Sequence, residues 1–171
     1  MMAQVGAPAS GATFDDELPP GVILRPALVE EEGALMALRR ACGWSAETVP
    51  QQFRAMLEGR RTIWIAVCDG YLVGTITVEW TTEDRQLADG RTTAHISNLV
   101  VHQYYRRRGI GRALMGAAER VAVGRGCTTM TIGVDDGNVY ARQLYERRGY
   151  SYLKEVHAPW GRIHMLSRRL C

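Results

Sequence analysis

A chain of 171 residues has the length of one domain that buries about two thirds of its unfolded surface. Its 46% hydrophobic and 23% charged residues match a soluble globular protein, and a net charge of +3 suits an anionic ligand without arguing for nucleic acid. No apolar run approaches the roughly eighteen residues of a membrane span, the first twenty lack a signal-peptide pattern, and Cys42, Cys68, Cys127 and Cys171 are scattered away from one another and from the histidines, so free thiols in a reducing cytoplasm are expected, with no metal site and no membrane partner.

Residues 1–20 are small, rich in Gly and Pro and acidic toward their end, the composition of a flexible tail, which leaves residues 21–171 as the domain. "GVILRPA" reads as a first strand. Residues 28–41 carry acids early and arginines late, as a helix dipole favours, and a second helix is predicted over 47–58. "TIWIAV", Asp69-Gly70 and "YLVGTITVEW" form a β-hairpin pattern, and a polar loop, "TTEDRQLADGR", precedes the strand "TAHISNLVV". After "RRRGIG" a helix sets Ile110, Ala113, Leu114, Ala117 and Val121 on one face and stops at Gly124 and Gly126. "TMTIGV" is a strand, Asn138 is an N-cap for a helix to about Arg148, and "YSYLKEVHAP" and "RIHMLSRRL" pair across Pro159 to Gly161. The order β-α-α-β-β-β-α-β-α-β-β, without repeats, defines a single mixed α+β domain with a strand–helix–strand unit at its centre.

The stretch "YYRRRGIGRAL" at 104–114 carries the chemistry. It is not a dinucleotide fingerprint, because Leu114 stands where the third glycine belongs, and it is not a P-loop, because Ala117 and Ala118 follow Gly116 in place of Lys and Ser/Thr. What remains is a strand ending at Val101, a short loop, and Arg106-x-x-Gly109-x-Gly111 opening a helix. The two glycines clear side chains from backbone amides, and the amides and dipole of a helix's first turn form an anion site surrounded by Arg106, Arg107, Arg108 and Arg112. A solvated arginine face and a non-specific nucleic-acid stripe are the competing readings. The second is weakened by having only Tyr104 and Tyr105 as interleaved aromatics.

This R-x-x-G-x-G after a strand, followed some thirty residues on by "NVYARQLYERRGY", resembles the GNAT superfamily of acyl-CoA-dependent N-acyltransferases over about residues 22–170. The resemblance implies a central, mostly antiparallel sheet of about seven strands with a splayed parallel pair, flanked by about four helices. It implies acetyl-CoA as co-substrate, a primary amine as acceptor, no metal and no nucleic acid; the oligomeric state stays open between monomer and homodimer. The cofactor arm is expected along Leu99, Val100 and Val101, and its pyrophosphate against Arg106, Arg107, Arg108, Gly109, Ile110, Gly111 and Arg112. Asn138 matches the family's cofactor-contacting asparagine, and Tyr145 its tyrosine beside the thioester sulfur, where a phenol can donate to the departing thiolate.

The base that must neutralise the amine is not where relatives carry it: the two usual acid positions are Ser97 and Gly133 here. His95, expected on the face of Ser97, and Glu79 on the neighbouring strand are the candidates. Asp135 and Asp136 could attract a cationic amine, and Trp44, Trp80, Trp160 and Tyr152 could line its site. With no cysteine beside a recognisable base, direct attack in a ternary complex is expected. A non-catalytic acyl-CoA-binding regulator is the alternative within the same resemblance, with Tyr145 arguing against it.

Overall fold

The computed structural model describes residues 17–170; residues 1–16, most of the segment read as a tail, lie outside it. Eleven principal elements follow in the expected order: β1 (Val22–Pro26), α1 (Glu32–Ala41), α2 (Val49–Leu57), β2 (Arg61–Cys68), β3 (Tyr71–Glu79), β4 (Thr93–Val101), α3 (Ile110–Gly124), β5 (Thr129–Asp135), α4 (Val139–Arg147), β6 (Ser151–Ala158) and β7 (Gly161–Arg169). The first helix begins later than the sequence pattern suggests. Val29–Glu31 form a 3₁₀ turn in which Glu31 accepts the Leu28 N–H and pairs with Arg25, so the early acids fasten the turn to β1.

The seven strands form one sheet in the order β1-β2-β3-β4-β5-β7-β6. Every neighbouring pair is antiparallel except β4 and β5, which run parallel with Thr93 opposite Thr129 and Ile96 opposite Ile132. Beyond Ile96 and Ile132 they part. The outer half of β4 stays paired with β3, and that of β5 with β7. α3 is the crossover between the two parallel strands, as parallel neighbours require.

A bulge bends β4 at the point of separation. Ile96 and Val101 are an odd number of residues apart, so a regular strand would send them to opposite faces. Both nevertheless join the core cluster beneath α3, because the register with β3 slips between Thr75 and Thr77 and Asn98 adopts a left-handed φ of 53°. Val100 is thereby turned to the opposite face, into a second cluster with Leu35, Leu38, Val49, Phe53, Ile63 and Ile65 under α1 and α2. Each fully buried aliphatic side chain in these layers contributes about 1.5–3 kcal/mol.

α3 sits close to the sheet because Gly74 leaves room for it: a Cβ there would meet Leu114 at 3.2 Å and Ile110 at 3.3 Å. The far end of α3 is fixed by one buried carboxylate. Glu119 accepts from Arg148 Nε at 3.0 Å and Nη2 at 2.8 Å and from the Tyr150 hydroxyl at 2.9 Å, and it pairs with Arg168 at 3.0 Å. This cluster ties α3 to the end of α4 and to β7.

Candidate active site

The parting of β4 and β5 opens a cavity of about 1030 Å³. One wall is the bulged end of β4 and the other is the end of β5 with α4; the loop from 105 to 109 and the first turn of α3 close one end. Leu99, Val100 and Val101 all line it. On the side facing β5 their backbone groups have no strand neighbour among the described residues. The Val101 carbonyl is the exception, since it accepts from Arg106 Nε at 3.0 Å. Arg106 therefore fastens the loop to the strand as well as adding charge.

The loop reaches α3 through two left-handed residues, Arg107 at φ 62° and Gly109 at φ 86°. Gly109 is the N-cap, and the Ala113 N–H makes the first intrahelical bond to its carbonyl. The amides of Ile110, Gly111 and Arg112 precede that bond and stand open at the cavity's end. Among the described residues a Cβ on Gly111 would meet only Val101 Cγ2, at 3.8 Å, so the missing side chain answers to no crowding from them. It leaves a cradle at a helix N-terminus, and that cradle fits a pyrophosphate. Arg106, Arg107 and Arg112 line this end; Arg108 does not, and stacks on the Tyr105 ring at 5.3 Å.

Asn138 caps α4 by accepting the Ala141 N–H at 3.2 Å and still borders the cavity. Tyr145, two turns further, is buried in the wall, its ring edge-on to Tyr150 with centroids 6.4 Å apart. Burial pushes its hydroxyl up to about 12, so it is protonated throughout the physiological range. A thiol near 8.5 is the stronger acid by about three units. Tyr145 is thus suited to donating a hydrogen bond to a thiolate, more than to surrendering its proton outright.

His95 lies in the same cavity on the α1/α2 face of β4. Its Nδ1 is 2.7 Å from Thr131 Oγ1, whose own proton is directed at the Leu87 carbonyl, also at 2.7 Å. Nδ1 must then be the donor, which leaves the Nε2 lone pair free to accept a proton. Burial holds the imidazole below its ordinary range, outweighing the attraction of Glu79 and Asp84, so it is neutral at pH 7. Glu79 is directly opposite His95 across β3 and β4, but it pairs with Arg61 at 2.8 Å and faces a separate pocket of about 320 Å³. Ser97 and Asn98 border both spaces.

Of the four aromatic side chains considered for the acceptor, Trp44 and Trp160 line the cavity. Trp80 is core, hydrogen-bonded to Thr62 and covered by Arg125, and Tyr152 is a surface residue against His164. Two residues escaped the sequence reading. Asn98 makes the bulge, and Arg39 holds it: the buried guanidinium donates to Asn98 Oδ1 at 3.0 Å and to the Ser45 carbonyl at 2.7 Å, and lies over Trp44 at 5.3 Å. An Asn within a strand pattern, a residue tolerant of left-handed φ, was the one available signal.

A splayed parallel pair, with an open helix N-terminus at one end and a buried tyrosine in the wall, makes up the site, and a family comparison says which class of fold this is. The acetyltransferase (GNAT) family matches residues 29–150, and the chain belongs to it. A curated relative, GCN5-related N-acetyltransferase 4, chloroplastic, of Arabidopsis thaliana, is 32% identical over 95 residues, 53% of this chain; the chain spans about a third (33%) of that protein's length. Among solved structures, yncA of Salmonella typhimurium with its cofactor acetyl-CoA superposes with a TM-score of 0.70 at 18% identity, covering 88% of this chain and 95% of that one. Ribosomal-protein-alanine N-acetyltransferase from Brucella melitensis gives 0.72 at 18% identity, covering 86% and 99%. Among the described residues no helix is long and apolar enough to cross a membrane, and no group of three or more His, Cys, Asp or Glu side chains is arranged to hold a metal.

Proposed function

We propose that the chain transfers an acetyl group from acetyl-CoA to a primary amine by direct attack in a ternary complex. The observation that carries this reading is the opening between β4 and β5, with unpaired strand backbone along one wall, the α3 amides at its end and Tyr145 opposite. Acetyl-CoA supplies an acyl thioester, whose attack by the amine makes an amide and expels a thiolate. The first turn of α3 with Arg107 and Arg112 holds the pyrophosphate. Leu99 and Val100 offer backbone partners to the cofactor arm, and Asn138 reaches it from the N-cap of α4. Tyr145 donates to the thiolate as its charge develops.

His95 takes the amine's proton at Nε2. It sits before the bulge, about 7 Å along the strand from Ser97 and about 13 Å from Leu99, so the proton travels through water beside Ser97. Glu79 acts on His95 through its charge, across the strand pair, and not on the amine. Cys42, Cys68 and Cys127 are free thiols, which suits a reducing cytoplasmic compartment. The test is thiol release from acetyl-CoA with a broad amine panel, beside a thermal-shift titration with CoA. Stabilisation by CoA with turnover of at least one amine supports the reading; CoA stabilisation without turnover of any amine favours the regulatory alternative.

A further inference from the structure

The acceptor end of the cavity has a chemistry of its own. Cross-strand partners share a face of a sheet, so the pairings of Thr131 with His95 and Ser167, Gly133 with Met165, and Asp135 with Ile163 lay out a floor on the α1/α2 face. Along it run His95, Gly133 with Met165, and Asp135 with Ile163. A side chain at 133 has no room, because its Cβ would fall 3.1 Å from Ile163 Cγ2 and 3.2 Å from Met165 Sδ. Those two apolar side chains fill the position, so the middle of the floor is apolar. Trp44 from the α1–α2 connection and Trp160 from the β6–β7 turn are exposed at its border, 48% and 74% respectively.

The charges are segregated. Each arginine lining the cavity belongs to the segment 106–112, at the end read as the pyrophosphate site. Arg39, behind Trp44, is turned to Asn98 and the Ser45 carbonyl. His95 is neutral. At the opposite border stands Asp135, exposed, with Oδ1 accepting the Trp160 indole N–H at 3.3 Å and no cation beside it among the described residues, whereas the adjacent Asp136 is paired with Arg162 and His164. Asp135 lies two positions beyond Gly133, about 7 Å along the strand. An amine attacking between Gly133 and the β4 bulge is therefore within reach of this carboxylate's field, while the Arg39 guanidinium at the bulge is buried, lies outside the cavity lining and already donates to Asn98 and Ser45.

We infer that the acceptor is a primary amine borne on an aromatic or apolar body with no carboxylate beside the amine. Asp135 draws the ammonium in and disfavours the corresponding amino acid, while Trp44, Trp160, Ile163 and Met165 hold the body. This rests on the transfer reading above and narrows it. The experiment compares kcat/KM of the full chain for tryptamine, tryptophan amide, tryptophan and spermidine at saturating acetyl-CoA, with Asp135→Asn and Trp160→Ala alongside. Tryptamine and the amide should exceed tryptophan at least tenfold. Asp135→Asn should shrink that ratio to about threefold or less, and Trp160→Ala should raise KM for tryptamine with little change in kcat. Preference for tryptophan or spermidine, or a ratio untouched by Asp135→Asn, overturns the acceptor class and leaves acetyl transfer standing. No thiol release with any amine overturns both.

Discussion

Replacing Gly111 by valine separates the fold from its ligand. Among the described residues the new Cβ meets one atom, Val101 Cγ2, at an ordinary contact distance of 3.8 Å, and position 111 has no left-handed backbone to strain. Valine is also better than glycine in a helix by a few tenths of a kcal/mol, so the unliganded variant should melt within about 2 °C of the parent. On the proposed assignment the cofactor meets something different, because the valine branches would stand against the first-turn amides that receive its pyrophosphate. For the parent, CoA at about 100 times Kd adds about 2.7 kcal/mol, or roughly 5–11 °C in a domain of this size. If Kd rises about a hundredfold in the variant, the same CoA concentration equals Kd and adds only about 0.4 kcal/mol, roughly 1 °C. Differential scanning fluorimetry with and without CoA reads both halves. Gly124→Ala, in the last turn of the same helix with open space around it, is the control that should keep the full shift. A Gly111→Val protein that retains the parental CoA shift refutes the assignment of the pyrophosphate to α3.

Tyr145→Phe should leave the CoA shift intact and lower kcat by about 10²-fold, the low end for acid–base groups, because a hydroxyl held near 12 works mainly as a hydrogen-bond donor; an unchanged kcat with chemistry limiting removes that role. The acidic limb of the pH–rate profile should inflect below the ordinary histidine range, since burial lowers His95, and should shift or vanish in His95→Gln but persist in Glu79→Gln. The same lowering has a sign for stability. Below about pH 6.5 the unfolded state binds the proton that folded His95 declines, so stability falls as pH drops from there toward the folded value, and His95→Gln should flatten that part of a Tm-against-pH curve. Glu119→Ala leaves the guanidiniums of Arg148 and Arg168 without their shared carboxylate and should cost about 3–5 kcal/mol, read as a fall in the Tm of the unliganded protein, to which CoA still adds its parental shift. Replacing all four cysteines by serine should preserve substantial activity wherever the protein folds; an acetyl-thiol that turns over on adding amine contradicts direct attack.

Order and type of the elements were readable because each is marked by local chemistry. Asp69-Gly70 turns the β2–β3 hairpin, Gly109 begins α3, Asn138 caps α4 and Gly149 ends it. The start of α3 with its open first-turn amides was readable for the same reason, being a contiguous stretch. What escaped is what depends on residues far apart in the chain. The bulge at Asn98 needs a partner strand to slip against, and its clamp comes from Arg39, 59 positions earlier. The tautomer of His95 is dictated by Thr131 and by the Leu87 carbonyl in the polar loop, neither of which its own strand pattern mentions. Trp80 and Trp160 show the limit in reverse. Both are tryptophans near strand ends, yet one is sealed in the core beneath Arg125 and the other stands exposed at a turn. Local sequence does not contain that difference.

The gap between β4 and β5 is a sheet edge moved to the middle of a sheet. Strand edges are sticky, and proteins commonly blunt them by shortening, charging or covering them. Here the edge is recessed between two walls of the same sheet, and its last carbonyl is already occupied by Arg106. Another protein's flat strand cannot reach it, whereas a slender extended molecule carrying amides can. An extended peptide mimic cut to the open stretch from Ser97 to Val100 should therefore compete with acetyl-CoA and not with the amine, recognised through its backbone and largely indifferent to its side chains.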